Sequence, residues 1–112
     1  MLLPSLKEKR RYVVFEVLSD APVLRDDVYD TVSSHVKDFV GTLGFSRAGI
    51  QFVPERWDGK RQRGVVRVCH TSVDTLKASF SLISHVKNQQ VIIHSVGVSG
   101  ILSKAKHKYL AG

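Results

Sequence analysis

The chain predicts an α+β fold in which two helices cover one face of a four-stranded antiparallel sheet, in the order β-α-β-β-α-β. Three observations carry this. Four runs rich in Val, Ile, Phe and Tyr have strand length and are bounded by Gly, Pro, Asp or Asn. Two stretches between them repeat apolar residues at helical spacing. The alternation of the two types, with short connections and right-handed crossovers, is the split βαβ, or ferredoxin-like, arrangement.

Each element has its own justification. Residues 10–19 are β-branched and aromatic, and Pro22 closes this first strand. Leu24, Val28, Val32, Val36, Phe39, Val40 and Leu43 then recur at helical spacing. Asp26, Asp27 and Asp30 sit in the first turns, where the helix dipole favours negative charge, and Gly41 and Gly44 read as the end. Residues 48–53 and 65–69 read as strands flanking Asp58-Gly59, a strong hairpin signal because both residues tolerate positive φ. Ser72 is the expected N-cap of a second helix marked by Val73, Leu76, Phe80 and Ile83. Asn88-Gln89-Gln90 turns the chain into a last strand over 91–98. Ser99-Gly100 breaks it, and 102–110 reads as a short basic terminal helix. No linker or repeat appears, so a single RNA-binding domain is expected over 10–112, preceded by a basic extension over 1–9.

Charge narrows the partners. Across 112 residues, 17 basic side chains face 10 acidic ones, for a formal charge of +7. No acidic residue follows Asp74, whereas Lys77, Lys87, Lys104, Lys106 and Lys108 do. Lys7, Lys9, Arg10 and Arg11 cluster near the start. Arg56, Lys60, Arg61 and Arg63 crowd the hairpin tip around Asp58 and the only tryptophan, Trp57. Like charges on one tip repel unless a polyanion lies nearby, and RNA or DNA phosphate is the natural candidate against a merely solvated tip. No apolar run reaches the roughly 20 residues that span a bilayer. Lys7 interrupts the N-terminal apolar residues before a signal-peptide core can form. The sole cysteine, Cys69, has no internal disulfide partner and reads as a small buried thiol. A cytoplasmic protein with no membrane partner is expected.

Catalytic constellations are missing. The five histidines lack ligand spacing, and one cysteine cannot build a typical structural zinc site. There is no nucleophile elbow, and Gly97-Val98-Ser99-Gly100 lacks the lysine and helix of a phosphate loop. Aromatic RNA readout is also weak. Arg63-Gly64 starts like the third strand of an RNA-recognition motif, but Val65 and Arg67 occupy the aromatic positions. Alternation directs Tyr12, Val14, Glu16 and Arg67 to the sheet face away from the helices. That face offers one aromatic, so phosphate binding or burial against a partner is expected, with Glu16 a candidate cross-strand neighbour of Arg67. In the terminal helix Lys104 and Lys108 lie one turn apart, opposite Leu102, Ala105 and Tyr109. Lysines there suit the helix dipole, and equally form an RNA-facing ridge.

Three segments carry a family resemblance. Arg11-Tyr12-Val13-Val14-Phe15-Glu16-Val17, with Ser19-Asp20 after it, resembles the opening strand of the small ferredoxin-like protein subunit of archaeal and eukaryotic ribonuclease P. Gly64-Val65-Val66-Arg67-Val68-Cys69 resembles that family's glycine-aliphatic-aliphatic-arginine strand. Val98-Ser99-Gly100-Ile101-Leu102-Ser103-Lys104-Ala105 resembles its glycine turn and basic final helix, with Ile101 departing from the expected threonine. The similarity spans 10–110. It implies a non-catalytic subunit of a ribonucleoprotein endoribonuclease that removes the 5′ leader of precursor tRNA. Catalysis and its magnesium ions would belong to the RNA subunit, with no cofactor on this chain. The implied partners are ribonuclease P RNA, precursor tRNA, a larger TIM-barrel-like protein subunit and other holoenzyme proteins, with a homodimer a further option. The RNA-contact candidates are Arg10, Arg11, Arg56, Lys60, Arg61, Arg63, Arg67, Lys104, Lys106 and Lys108. The competing reading is a regulatory module of the same fold that binds a small anion at a helix N-terminus. No glycine-rich turn precedes either helix, which counts against it. A small phosphatase-like enzyme would need a phosphate-cradling loop that is not found.

Overall fold

The computed structural model describes residues 9–100. Strand β1, Arg10–Ser19, is the centre of the sheet, because its odd positions Val13, Phe15 and Val17 are all buried under the helices. Helix α1 runs over Arg25–Ala48 and buries Val28, Tyr29, Val32 and Val36 on one face. The apolar stripe read beyond Val36 does not stay inside: Phe39 is 53% and Leu43 65% exposed. Leu43 lies beyond a kink at Gly41, where φ is 79° and ψ 173°, while Val40 and Phe45 still pack on the core and Ala48 is buried. Gly41 thus breaks the helix where the sequence places an end, but helical turns resume after it and Gly44 does not end them. Gly49 does, in the left-handed conformation (φ 62°), with its N–H donated to the Ser46 carbonyl.

Extending the helix to Ala48 shortens the strand expected over 48–53. Strand β2 is Gln51–Phe52 only, followed by a 3-10 turn over Pro54–Arg56. Strand β3, Arg63–Cys69, leads through a second 3-10 turn, His70–Ser72, into helix α2, Val73–Leu82. Ser72 takes the N-cap position without a side-chain capping bond. The structure then adds a strand the sequence reading lacks. His85–Val86 (β4) forms a hairpin with β5, Gln89–Ser99, across Lys87, which takes a positive φ of 55°. The antiparallel sheet is thus five-stranded, ordered β2-β3-β1-β5-β4, and not four-stranded. A bulge interrupts β1–β5: Val14 faces Gly97 and Phe15 faces Ser95, leaving Val96 as the extra residue.

The core lies between this sheet and the two helices. Val66 and Val68 from β3 and Ile93 from β5 join Phe15, and all pack against Val32, Leu76 and Phe80. Each such side chain contributes about 1.5–3 kcal/mol by leaving water. Aromatic packing is dense around Phe15, whose ring centroid lies 5.5 Å from Phe80 and 6.4 Å from Trp57. Tyr29 stacks on Phe52 at 4.1 Å. Trp57 is therefore an anchor of its loop in the core and not part of an exposed tip. A smaller apolar cluster, Val14, Val53 and Val65 with Tyr12 and Val96 against it, lies on the opposite sheet face. Cys69 is buried, its Sγ 3.3 Å from Thr71 Oγ1.

Candidate nucleic-acid interface

The basic loop between β2 and β3 is a tied turn. The Asp58 carboxylate accepts the backbone N–H of Lys60 (3.0 Å) and of Arg61 (3.2 Å), while Asp58 and Arg63 exchange both backbone bonds. Gln62, at a positive φ of 55°, docks the turn elsewhere. Its carbonyl accepts Val17 N–H (2.8 Å), and its amide oxygen accepts Val23 N–H (2.9 Å). The acid that sequence composition sets among four cations is thus the residue that shapes the turn. Lys60 and Arg61 project from it, exposed.

The sheet face away from the helices sorts its charges by row. Gln51, Arg67, Tyr12 and Ser99 stand side by side across four strands. Arg67 donates from Nη1 to Gln51 Oε1 (3.3 Å), while its Nε is buried with no partner among the described residues. Arg10 lies diagonally beside Arg67, opposite Cys69, and its guanidinium covers Gly49 at the C-terminus of α1, where the helix dipole welcomes a cation.

Further along β1 the row changes character. Glu16 is held from both sides: Arg63 Nε donates to Oε2 and His94 Nε2 donates to Oε1, each at 2.9 Å. Burial raises the Glu16 pKa, but the bonds and charges of Arg63 and His94 outweigh it, and the net displacement is downward. Glu16 therefore supports the fold above the ordinary carboxylate range, and that support is lost as the pH falls through its depressed value. The expected Glu16–Arg67 pairing is corrected here. Register places Arg63 opposite Glu16 and Arg67 opposite Tyr12.

The candidate RNA contacts separate accordingly. Arg10 and Arg67 meet at one end of the open face, and Lys60 and Arg61 mark the other. Arg63, between them, is engaged by Glu16. Eight strand residues separate the rows of Arg10 and Leu18, a span of roughly 26 Å. Arg11 turns to the other side of β1, donating to the Arg10 carbonyl (3.1 Å). Arg56 ends the 3-10 turn with its Nε buried and unpartnered among the described residues. Lys104, Lys106, Lys108 and the terminal helix lie outside the described residues, as does most of the basic extension. Sequence reasoning missed Gln51, His94 and Ile92, which only the pairing register brings onto this face, and Leu18, which the alternation of Tyr12, Val14 and Glu16 could have placed there.

Among the described residues no helix is long and apolar enough to cross a membrane. The sequence pattern of the Rpp14/Pop5 family matches residues 11–110. A ribonuclease P protein component 2 from Thermococcus gammatolerans is 33% identical over 110 residues, covering 98% of this chain and 90% of that protein. The protein of the same name from Methanosarcina mazei is 30% identical over 109 residues, covering 97% and 90%. A chain in the cryo-EM structure of yeast ribonuclease MRP shares the fold, with a TM-score of 0.60 at 15% identity over 82% of this chain and 74% of that one.

Proposed function

This chain belongs to the Rpp14/Pop5 family, and from that premise we infer that it is a non-catalytic protein subunit of ribonuclease P, acting in tRNA processing by supporting removal of the 5′ leader. The observation that carries the reading is identity of about a third, sustained over nearly the whole chain, to ribonuclease P protein component 2. The geometry supports it in part: exposed Lys60 and Arg61 stand on a tied turn, and Arg67 lies on the open sheet face.

The finer reading covers partners and contacts. The RNA partners are the ribonuclease P RNA and precursor tRNA, with magnesium belonging to the RNA subunit. Arg10, Arg67 and Lys60, which project from the open face and the turn, are the strongest RNA-contact candidates. Arg63 acts through Glu16 to hold three strands together. Exposed Phe39 and Leu43 on α1 supply apolar surface for a protein partner, either the larger TIM-barrel-like subunit or a second copy. The order β2-β3-β1-β5, with β4 as an added edge, supports the ferredoxin-like arrangement. The chain is read as one domain over 10–112 behind a basic extension, working in the cytoplasm.

Reconstitution tests the function. The cognate RNA with all protein subunits is expected to cleave precursor tRNA at limiting magnesium, and omission of this chain is expected to reduce cleavage. The RNA-free chain alone is expected to be inactive. Equal cleavage with and without the chain would refute the reading.

A further inference from the structure

At the end of the open face distant from Arg67, Leu18 on β1 and Ile92 on β5 are directly paired in register, yet they are 48% and 63% exposed. A large aliphatic pair on the two neighbouring strands β1 and β5, left half in water, forgoes burial that a partner could supply. The Gln62 carbonyl bond to Val17 brings the tied turn against this pair, so Lys60 and Arg61 form one wall of a groove of about 540 Å³. Gln90 and Asp20 complete its rim.

We propose that the Leu18–Ile92 pair, with Lys60 beside it, seats one unpaired RNA nucleotide. This inference rests on the RNA-binding reading above. A base has two apolar faces and a charged backbone close by, and the groove offers the complement: a flat aliphatic floor for the base and ammonium and guanidinium charge for its phosphate. The Gln90 amide carries both a donor and an acceptor for a base edge. A duplex cannot use such a floor, because its bases are already stacked on their neighbours and only an unstacked base can lay its face on protein. On the groove lining Lys60 and Arg61 meet one acid, Asp20, while the Asp58 carboxylate is turned to the backbone of the turn, and this lining favours an anionic occupant over an apolar protein segment. The usual aromatic platform is absent, and the aliphatic pair takes its place.

The test uses the reconstituted ribonucleoprotein. Native Cys69 is buried, so a benzophenone maleimide attaches selectively at Ala21→Cys, exposed beside Asp20 on the groove rim. Irradiation is expected to crosslink it to an unpaired nucleotide. Adding Leu18→Ser and Ile92→Ser is expected to reduce that crosslink about tenfold, toward the lower end of what losing one base stack gives. Both residues are exposed, so an unchanged melting temperature shows that the fold is kept. A probe at Lys37→Cys, exposed on α1, is expected not to reach the same nucleotide. In an intact assembly, crosslinks to protein only, to base-paired RNA, or indifferent to the two serines would overturn the proposal. If the unlabelled wild-type chain fails to assemble with RNA at all, the parent reading fails first and the seat fails with it.

Discussion

Arg67 stands between Gln51 and Tyr12 with one bond to Gln51 and a buried Nε that nothing among the described residues satisfies. The exposed Nη end of the guanidinium is where a phosphate oxygen would bind. Arg67→Ala is therefore expected to leave the melting temperature nearly unchanged and to cost about 1.5–3 kcal/mol in assembly or cleavage, the size of a charged hydrogen bond. Full activity of the variant in the reconstituted assay would refute this. Tyr29 raises a different matter, since its hydroxyl is buried without a partner among the described residues and burial pushes its pKa up to about 12. A raised value means that the neutral phenol supports the fold fully below its ordinary pKa of 10, and the support fades as the pH climbs through about 12. Tyr29→Phe is expected to raise the unfolding free energy by about 1 kcal/mol at neutral pH, by removing an unsatisfied group. It should also flatten the alkaline decline, which denaturant titrations across that window would measure. The direction of Arg67 was legible from alternation alone. The partner of Glu16 was not, because a four-residue difference in register, which keeps every side chain on its face, exchanges Arg67 for Arg63, and register depends on turn geometry.

Among the elements, β3 shows how one sequence pattern supports two readings. Arg63-Gly64 resembles the start of an RNA-binding strand, but its glycine answers to packing: a Cβ there would lie 2.8 Å from Phe15 Cζ and 2.9 Å from Trp57 Cε3. Gly64→Ala is expected to destabilise the protein by about 1–3 kcal/mol through overpacking. It should also shift the emission of Trp57, the only tryptophan, and an unchanged midpoint and spectrum would contradict this. The long strands β1 and β3 were legible because each is a β-branched run of sufficient length, apolar on both faces. The end of α1 was not. A glycine can mark a cap or a kink, and local sequence does not distinguish Gly41, which bends the helix, from Gly49, which stops it. Strand β4 escaped because two residues carry no period, and Val86 is buried only through its hairpin with β5.

For the molecule as a whole, composition indicated the class of partner better than it indicated the contacts. The excess of cations, thinned of acids after Asp74, predicts binding dominated by counterion release. With about five phosphate contacts, log K against log salt should fall with a slope of about −3.5 to −4.5. Replacing Lys60 and Arg61 together should shallow it by about one to two units, because the turn they leave is shaped by backbone bonds to Asp58. Filter binding over a salt series measures both, and a flat dependence would mean that apolar contacts dominate. The sheet itself ends on both sides in strands of two residues, β2 and β4. β4 covers only Gln89 and Gln90, so from Val91 onward the outer edge of β5 has no strand beside it among the described residues. A margin of unpaired strand amides is a template for one more strand. Concentration alone, with no change of fold, would then decide whether copies of this chain stay apart.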